Sequence, residues 1–408
     1  MAQELSVVPG LKSAAASLQS LGLEFAVADD LLKRNGVTRL VNLTGLDTID
    51  VPVWSCVRPN SRSLAVSFGK GLTHGQAQAS AMMEAMESAF AEDRQTLVNL
   101  FASVGELERQ GINTVPLQAL SRCRFHHVDR EAQLGWVRGT SLKTREEVLA
   151  PFELIGLDYT KSALSAAFRM STIGLGAGRT WQDAVCHAIL ELIEHDAVAI
   201  LELIPALADA LPAERYRPGF SERLDEALEL FKPAGIEPIF RSVSSQIGIP
   251  VAMCSIPRLS AMGPDRTCAG FAARESLEDA ALAALLEAAQ VRMTIIAGAR
   301  DDLKWSDYQQ AGHFFDPAPA LVPSADNSPL FGVAREKPPT KLTLQEILRR
   351  LGQAGIDNLY AFPLTRAGDP IHVVRVLAEG LDVADQDSGM NLGQSALSTL
   401  LKLSFAVQ

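Results

Sequence analysis

The acidic pair Glu191 and Glu194 has the residue types and spacing most suited to chemistry in this chain. The pair lies in 180–197, which has apolar residues at helical spacing, contains no Gly or Pro, and begins with Thr180 as a possible cap. On a helix His187, Glu191 and Glu194 share one stripe, because the helix repeats every 3.6 residues. Carboxylates one turn apart repel unless a positive group lies between them. The stripe therefore predicts either a solvated surface or a bound cation.

The same template occurs at three points in the chain. When Glu84, Glu191 and Glu287 are aligned, alanine occupies the positions seven and three residues before each of them. The residues three positions after them are Glu87, Glu194 and Gln290. Surface positions have no reason to share small residues at fixed offsets. The repetition therefore favours one shared site over three unrelated polar helix faces.

Glycines precede each of these helices. They are Gly69 and Gly71, then Gly174, Gly176 and Gly178, and finally Gly270. A strand, a glycine loop and a helix in succession present backbone N–H groups and a helix N-terminus to an anion. Lys70, inside the first loop, would add a charge for a phosphate. Neither loop matches the Walker A or the dinucleotide-binding pattern.

Acid pairs on two or three helices, beside such loops, suit a magnesium–phosphate site. Mg²⁺ takes few protein carboxylates and completes its coordination with water and phosphate oxygens. Arg292 would neutralise charge on a transferring phosphoryl group. Zinc is disfavoured, because the seven histidines are scattered and the five cysteines form no cluster. The residues alone therefore predict a magnesium–nucleotide site.

Composition narrows the class of protein. The 408 residues are 47% hydrophobic and 21% charged, which is typical of a soluble globular chain with a sizeable core. The net charge of −11 argues against nucleic acid or an anionic membrane as the main partner. We find no signal peptide, and no apolar run that approaches the roughly 18–20 residues of a membrane span. The scattered cysteines favour a reducing cytoplasm.

The predicted elements indicate an α/β chain with one main domain. We expect 1–60 to form an N-terminal segment that packs on the core, 61–390 to form the catalytic domain, and 391–408 to form a C-terminal tail. Within the main domain, 315–340 is rich in Pro, Ala and Ser and is typical of a mobile insertion.

Several stretches, in chain order, resemble the YcaO family. They are Gly69-Lys-Gly-Leu with Ser80, Glu84 and Glu87; Gly174-Leu-Gly-Ala-Gly with His187, Glu191, Glu194 and Asp196; and Glu287, Gln290 and Arg292 with Gly298-Ala-Arg-Asp-Asp302. The stretch Val373-Val-Arg-Val-Leu-Ala-Glu-Gly-Leu381 is similar to the family's C-terminal segment. The resemblance covers 37–385.

This resemblance implies a YcaO-type α/β fold, with mixed sheets and with helices that carry clustered glutamates around a Mg²⁺–ATP site. ATP would activate a backbone amide of a peptide or protein substrate. A Cys, Ser or Thr nucleophile would then give an azoline, and sulfide would give a thioamide. The implied metal ligands are Glu84, Glu87, Glu191 and Glu194, which with Arg292 are the expected catalytic residues. The implied nucleotide contacts are Lys70, Ser80, His187, Gln290 and Arg292.

The chain departs from the family pattern at two positions. Ser88 and His195 follow the second glutamate of each pair, where the family usually has Arg, so local pairing must differ there. The chain also ends in Leu-Ser-Phe-Ala-Val-Gln408, without the Pro-x-Pro-x-Pro tail of many azoline-forming members. With this ending and with the stretches Pro52-Val-Trp54 and Val57-Arg-Pro59, the chain is most similar to members that form thioamides beside a TfuA partner.

Several alternatives remain open at this point. Thioamide formation is our first hypothesis, and an azoline-forming cyclodehydratase subunit is the second. A metal-dependent hydrolase would need neither Lys70 nor ATP. A non-catalytic scaffold that binds a leader peptide or partner would tolerate Glu84→Gln. We expect a protein partner, either TfuA-like or leader-binding and E1-like, and, by analogy alone, a homodimer.

Overall fold

The computed structural model describes residues 8–9, 22–120, 128–160, 168, 170–203, 215–243, 247–257, 267–300, 330–331 and 342–381. The predicted insertion at 315–329 and 332–340 and the predicted tail at 391–408 lie outside these residues. Within them the fold is α/β, as expected, with helices packed on several sheets.

The described helices differ widely in length. They are α1 (Phe25–Arg34), α2 (His74–Ala91), α3 (Arg94–Leu97), α4 (Val104–Arg109), α5 (Leu117–Leu120), α6 (Phe152–Ile155), α7 (Trp181–Leu203), α8 (Glu222–Glu229), α9 (Leu277–Ala297) and α10 (Leu344–Gln353). Helices α2, α7 and α9 are the three that carry the repeated acidic template, and each lies where the sequence predicts it.

The strands are short. They are β1 (Arg39–Asn42), β2 (Val53–Val57), β3 (Val66–Lys70), β4 (Leu100–Ala102), β5 (Leu134–Ser141), β6 (Glu147–Pro151), β7 (Leu175–Gly178), β8 (Arg215–Tyr216), β9 (Ile239–Val243), β10 (Val251–Pro257), β11 (Thr267–Ala273), β12 (Leu330–Phe331), β13 (Leu359–Pro363) and β14 (His372–Ala378). Strand β7 contains Gly176 and Gly178, which the sequence analysis placed in a glycine loop.

The chain divides into two compact units. Unit 1 contains 1–86, 204–245 and 249–341, and unit 2 contains 87–203, 246–248 and 342–408. The division falls inside α2, between Met86 and Glu87.

Unit 1 contains two antiparallel three-stranded sheets, ordered β1-β2-β3 and β11-β10-β9. Helix α9 packs on β10, β11 and β3. Its core joins both sheets and the helix through apolar side chains such as Phe68, Phe231, Phe240, Leu285 and Met293. Burial of these side chains stabilises the unit.

Helix α9 corrects the expectation that no apolar run is long enough for a membrane span. By length and composition it is the one described helix that could cross a membrane. It also has eleven buried residues, and many of them belong to the unit 1 core. A helix that is apolar on most faces is expected where it is enclosed by a core.

Unit 2 is built on a six-stranded antiparallel sheet. Each strand pairs with the next in the order β4-β5-β13-β14-β7, and β6 also pairs with β5. Helix α7 packs on β7 and β14, and α10 packs on α7. Strand β7 is an edge strand of this described sheet, which leaves its outer backbone groups to bond with side chains.

Candidate functional site

The repeated small residues have a structural cause. A Cβ added to Gly69 in β3 would lie 2.0 Å from the Ala81 nitrogen and 2.3 Å from the Ala77 oxygen of α2. Contacts this short are forbidden, so only glycine lets the helix backbone approach the strand. Alanine at the two helix positions keeps the approach free of larger side chains.

The same close approach is present in the other two copies. A Cβ on Gly176 in β7 would lie 2.3 Å from the Ala184 oxygen and 2.7 Å from the Ala188 nitrogen of α7. One on Gly270 in β11 would lie 2.2 Å from the Ala284 oxygen of α9. The shared Gly and Ala positions thus specify strand–helix packing. They place the acidic residues, but they are not themselves a mark of chemistry.

The expectation that these glycines lie in loops is therefore wrong. Gly69 and Lys70 end strand β3, and Gly176 and Gly178 lie in strand β7, so these glycines do not form anion-binding loops. The helix N-termini are also already capped. The hydroxyls of Thr73, Thr180 and Ser276 accept hydrogen bonds from backbone N–H groups three residues later. Two of those later residues are aspartates, which disfavour an anion at the same helix end.

One acidic cluster lies in unit 1. Lys70 Nζ donates to Glu287 Oε2 at 3.0 Å, and both side chains are half-buried. The backbone N–H of Phe68 donates to the Glu84 carboxylate. Glu84 is an exposed residue of α2, yet desolvation by the protein atoms near its carboxyl group raises its pKa from 4.5 to about 7. Lys70 and Arg300 lower that pKa, whereas Glu287 raises it.

A second acidic cluster lies in unit 2. Burial, followed by the charges of Glu87 and Glu194, raises the pKa of Glu191 well above its ordinary value. Gly174 N donates to Glu191 Oε2 at 3.0 Å, and Ala177 N donates to Glu87 Oε1 at 2.8 Å. The backbone donors that the sequence assigns to phosphates therefore hold carboxylates here. Backbone N–H groups in or next to strands β3 and β7 orient the glutamates of both clusters.

Arg292 is buried in an ion pair. Its Nε lies 2.7 Å from Asp47 Oδ2 and its Nη2 lies 2.9 Å from Asp47 Oδ1, with 3% and 2% of the two side chains exposed. A planar guanidinium matched to both oxygens of one carboxylate is a strong, directional pair. The predicted neutralisation of a phosphoryl group by Arg292 is not supported by this placement.

The remaining predicted contacts lie on the three template helices. Ser80 is half-buried on α2, and His187 is exposed on α7. Gln290 is half-buried on α9, and its buried Oε1 has no hydrogen-bond partner within the described part of the chain. An unsatisfied buried acceptor is costly and fits a donor from a ligand. Glu287 occupies the template position of Glu84 and Glu191, but the sequence analysis assigned it no role, because its partner Lys70 is 217 residues away along the chain.

The carboxylates of both clusters are oxygen donors of the kind that Mg²⁺ prefers. No three His, Cys, Asp or Glu side chains in the described ranges are grouped tightly enough to hold a metal ion by themselves. Mg²⁺ does not require that, because in nucleotide sites it takes one or two carboxylates and fills its octahedron with phosphate oxygens and water. The mutual repulsion that raises the Glu191 pKa is what a cation would relieve. The carboxylates fit Mg²⁺ bound together with a nucleotide.

The fold and the acidic clusters agree with a family match. The model of the YcaO family, described as YcaO cyclodehydratase, ATP- and Mg²⁺-binding, matches residues 68–382. The chain belongs to the YcaO family. The resemblance stated from the sequence is thus confirmed, and so is the expectation of ATP and Mg²⁺ as cofactors.

Relatives and solved structures extend this match over nearly the whole chain. A protein of the tfuA 3′ region in Rhizobium leguminosarum bv. trifolii is 31% identical over 391 residues, which cover 92% of this chain and 91% of the relative. YcaO from Methanopyrus kandleri, bound with AMPPCP and Mg²⁺, has a TM-score of 0.66 and 22% identity and covers 94% of this chain and 95% of its own. A heterocyclase in complex with substrate and cofactor has a TM-score of 0.69 and 19% identity, covering 98% of this chain and 57% of its own. At these identities the two structures show the fold.

Proposed function

We propose that this protein uses ATP and Mg²⁺ to activate a backbone amide of a peptide or protein and that the product is a thioamide. Membership of the YcaO family supports ATP-dependent peptide modification. The observation that carries the proposal onto this chain is the Glu191 carboxylate, which lies beside Glu87 and Glu194 and is held by the Gly174 N–H. Such a cluster is poised to bind a cation rather than to stabilise the fold.

The reaction proceeds in two steps. Sulfide adds to the carbonyl carbon of the substrate amide, and the carbonyl oxygen becomes an oxyanion that takes the γ-phosphate of ATP. The C–O bond then breaks, phosphate leaves with the former amide oxygen, and sulfur loses its proton to water as its electron pair forms the C=S bond. ADP and phosphate are the other products.

The side chains have distinct roles in this proposal. Bound Mg²⁺ would supply positive charge to the phosphates. Lys70 would exchange Glu287 for a phosphate oxygen, and Gln290 would accept a hydrogen bond from the nucleotide. The proposed metal ligands are Glu84, Glu87, Glu191 and Glu194, and the other proposed nucleotide contacts are Ser80 and His187. We assign Arg292 to holding α9 through Asp47 instead.

The proposed TfuA-like partner is supported by the relative from the tfuA 3′ region. The proposed thioamide rests on the sequence resemblance to family members that work beside such a partner. An azoline is the second candidate, supported by the family's description as cyclodehydratases and by the heterocyclase that shares the fold. We further propose a cytoplasmic location, because the cysteines at the described positions Cys56, Cys186, Cys254 and Cys268 are free.

An isotope experiment tests the proposal. A candidate peptide whose backbone carbonyl carries ¹⁸O is incubated with the protein, ATP, Mg²⁺, sulfide and the TfuA-like partner. We expect ¹⁸O in the released phosphate, together with a peptide that has exchanged one oxygen for sulfur. Loss of water without a gain of sulfur would instead identify azoline formation. ADP formed with no ¹⁸O in phosphate would refute amide activation, and Glu191→Gln serves as the inactive control.

A further inference from the structure

The buried guanidinium of Arg375 is a feature of unit 2 that the proposed function does not yet use. Arg375 lies on β14 with 1% of its surface exposed. Its three nitrogens donate to three backbone carbonyls: Nε to Ile155 at 3.0 Å, Nη1 to Ile173 at 2.6 Å, and Nη2 to Ser171 at 2.6 Å. A buried charge is tolerated only when its donors are satisfied, so this fork requires one arrangement of the chain at 171–173.

The next residue along the chain, Gly174, contacts the acidic cluster. Its N–H donates to Glu191 Oε2 at 3.0 Å, and its carbonyl accepts from Val376 N at 2.8 Å. Its φ of +84° suits glycine, and an added Cβ would lie 2.6 Å from the Val376 oxygen. The direction of the Gly174 N–H is therefore set by the segment before it and by β14 beside it.

We propose that Arg375 is a positioning residue for Glu191. Its guanidinium fixes the segment 171–173 so that the Gly174 N–H holds Glu191 Oε2 and orients the carboxylate toward a cation. Its positive charge also offsets the repulsion from Glu87 and Glu194. This inference rests on the proposed function, because it takes Glu191 to be a Mg²⁺ ligand. Groups that orient a metal ligand in this way strongly affect metal affinity.

Two substitutions of Arg375 separate charge from geometry. Arg375→Met removes both, whereas Arg375→Lys keeps a charge but cannot span three carbonyls. Arg94→Met is the matched control, because it too removes an arginine with little exposure from unit 2. The described contacts of Arg94 are with Glu153 and Phe152 instead. For each purified protein, AMPPCP binding is titrated against Mg²⁺, and the free energy of unfolding is measured in urea.

We expect Arg375→Met to raise the Mg²⁺ concentration for half-maximal AMPPCP binding about tenfold, with a smaller rise for Arg375→Lys. Arg94→Met should lose stability without a change in that concentration. Gly174→Ala moves the same N–H while leaving Arg375 in place, so it should reproduce the rise in Mg²⁺ even if Arg375→Met folds poorly. An unchanged Mg²⁺ requirement in Arg375→Lys and Gly174→Ala would overturn the proposal.

A readout without metal or nucleotide keeps this inference distinct from the proposed function. Amide hydrogen exchange of 171–178 is compared in EDTA for the wild type, Arg375→Lys and Arg94→Met. We expect faster exchange in Arg375→Lys only. If the wild type binds no AMPPCP at any Mg²⁺ concentration, the proposed function fails. The exchange comparison still decides whether Arg375 holds the Gly174 segment, and equal exchange in all three proteins would refute it.

Discussion

Replacing Glu84 by Gln should stabilise the ligand-free protein at neutral and higher pH. Burial raises the Glu84 pKa from 4.5 to about 7, so ionising this side chain costs free energy in the folded state. A difference of this size corresponds to about 3 kcal/mol. Because solvent reaches the side chain and screens its charge, we reduce the expected effect to about 1 kcal/mol.

The sign of the pH dependence follows from proton binding. Between pH 4.5 and about 7 the folded protein keeps the Glu84 proton, whereas the unfolded chain releases it. The contribution of Glu84 to stability therefore falls as pH rises through this window and is constant above it. Gln cannot ionise, so the advantage of Glu84→Gln should grow from near zero at acidic pH to its full value above neutral pH.

Urea unfolding in EDTA at about pH 5 and about pH 8 measures this difference. Glu226→Gln, at an exposed position on α8, is the control for a lost surface carboxylate. Added Mg²⁺ and AMPPCP should reverse the order and stabilise the wild type more than the variant. An advantage of Glu84→Gln that is equal at both pH values would refute the reasoning, because Glu84 would then ionise as freely in the folded protein as in the unfolded chain.

Two further predictions concern packing and pairing. Gly176→Ala should destabilise the protein by about 2 kcal/mol or more in a thermal melt, because its Cβ would lie 2.3 Å from the Ala184 oxygen. Gly45→Ala is the control, since a Cβ at that position has no atom within 4 Å. Asp47→Asn should lower the free energy of unfolding, measured in urea, by about 3 kcal/mol, because it leaves the buried Arg292 charge without its counter-ion. If stability were unchanged and Arg292→Gln bound AMPPCP more weakly, Arg292 would instead be a phosphate contact.

The local pattern of the chain was enough to predict the acidic helices. Periodicity and capping residues predict α2, α7 and α9, because helix formation depends on residues within a few positions of one another. The cap predicted at Thr180 is confirmed, because its hydroxyl accepts a hydrogen bond from the Asp183 N–H. The fixed offsets of Ala and Glu also mark these helices as copies of one arrangement, and together with the quoted motifs they led to the correct family.

The sequence was misleading where the conformation or the contacts of a residue depended on another element of the fold. Gly176 and Gly270 have the composition of loops, but each lies in a strand pressed against a helix backbone, and that contact is visible only in the folded chain. Arg292 has the chemistry of a phosphate ligand, yet its partner is Asp47, 245 residues away along the chain. A side chain's availability for a ligand is set by what the fold places beside it.

The amino-acid sequence by itself determined the helices that carry the glutamates, because these follow from residue types at short, regular spacings. Its motifs carried the resemblance to the YcaO family, and the resemblance implied the ATP and Mg²⁺ cofactors. Only the tertiary structure decided how those glutamates are held. The backbone N–H groups of Phe68, Gly174 and Ala177 donate hydrogen bonds to these glutamates. Glu287 pairs with Lys70, and Arg375 holds the segment before Gly174. Three of these interactions join residues far apart in the chain: Lys70 with Glu287, Glu87 with Ala177, and Arg375 with Ile173. Hydrogen bonds and charges act over a few ångströms of space rather than over sequence.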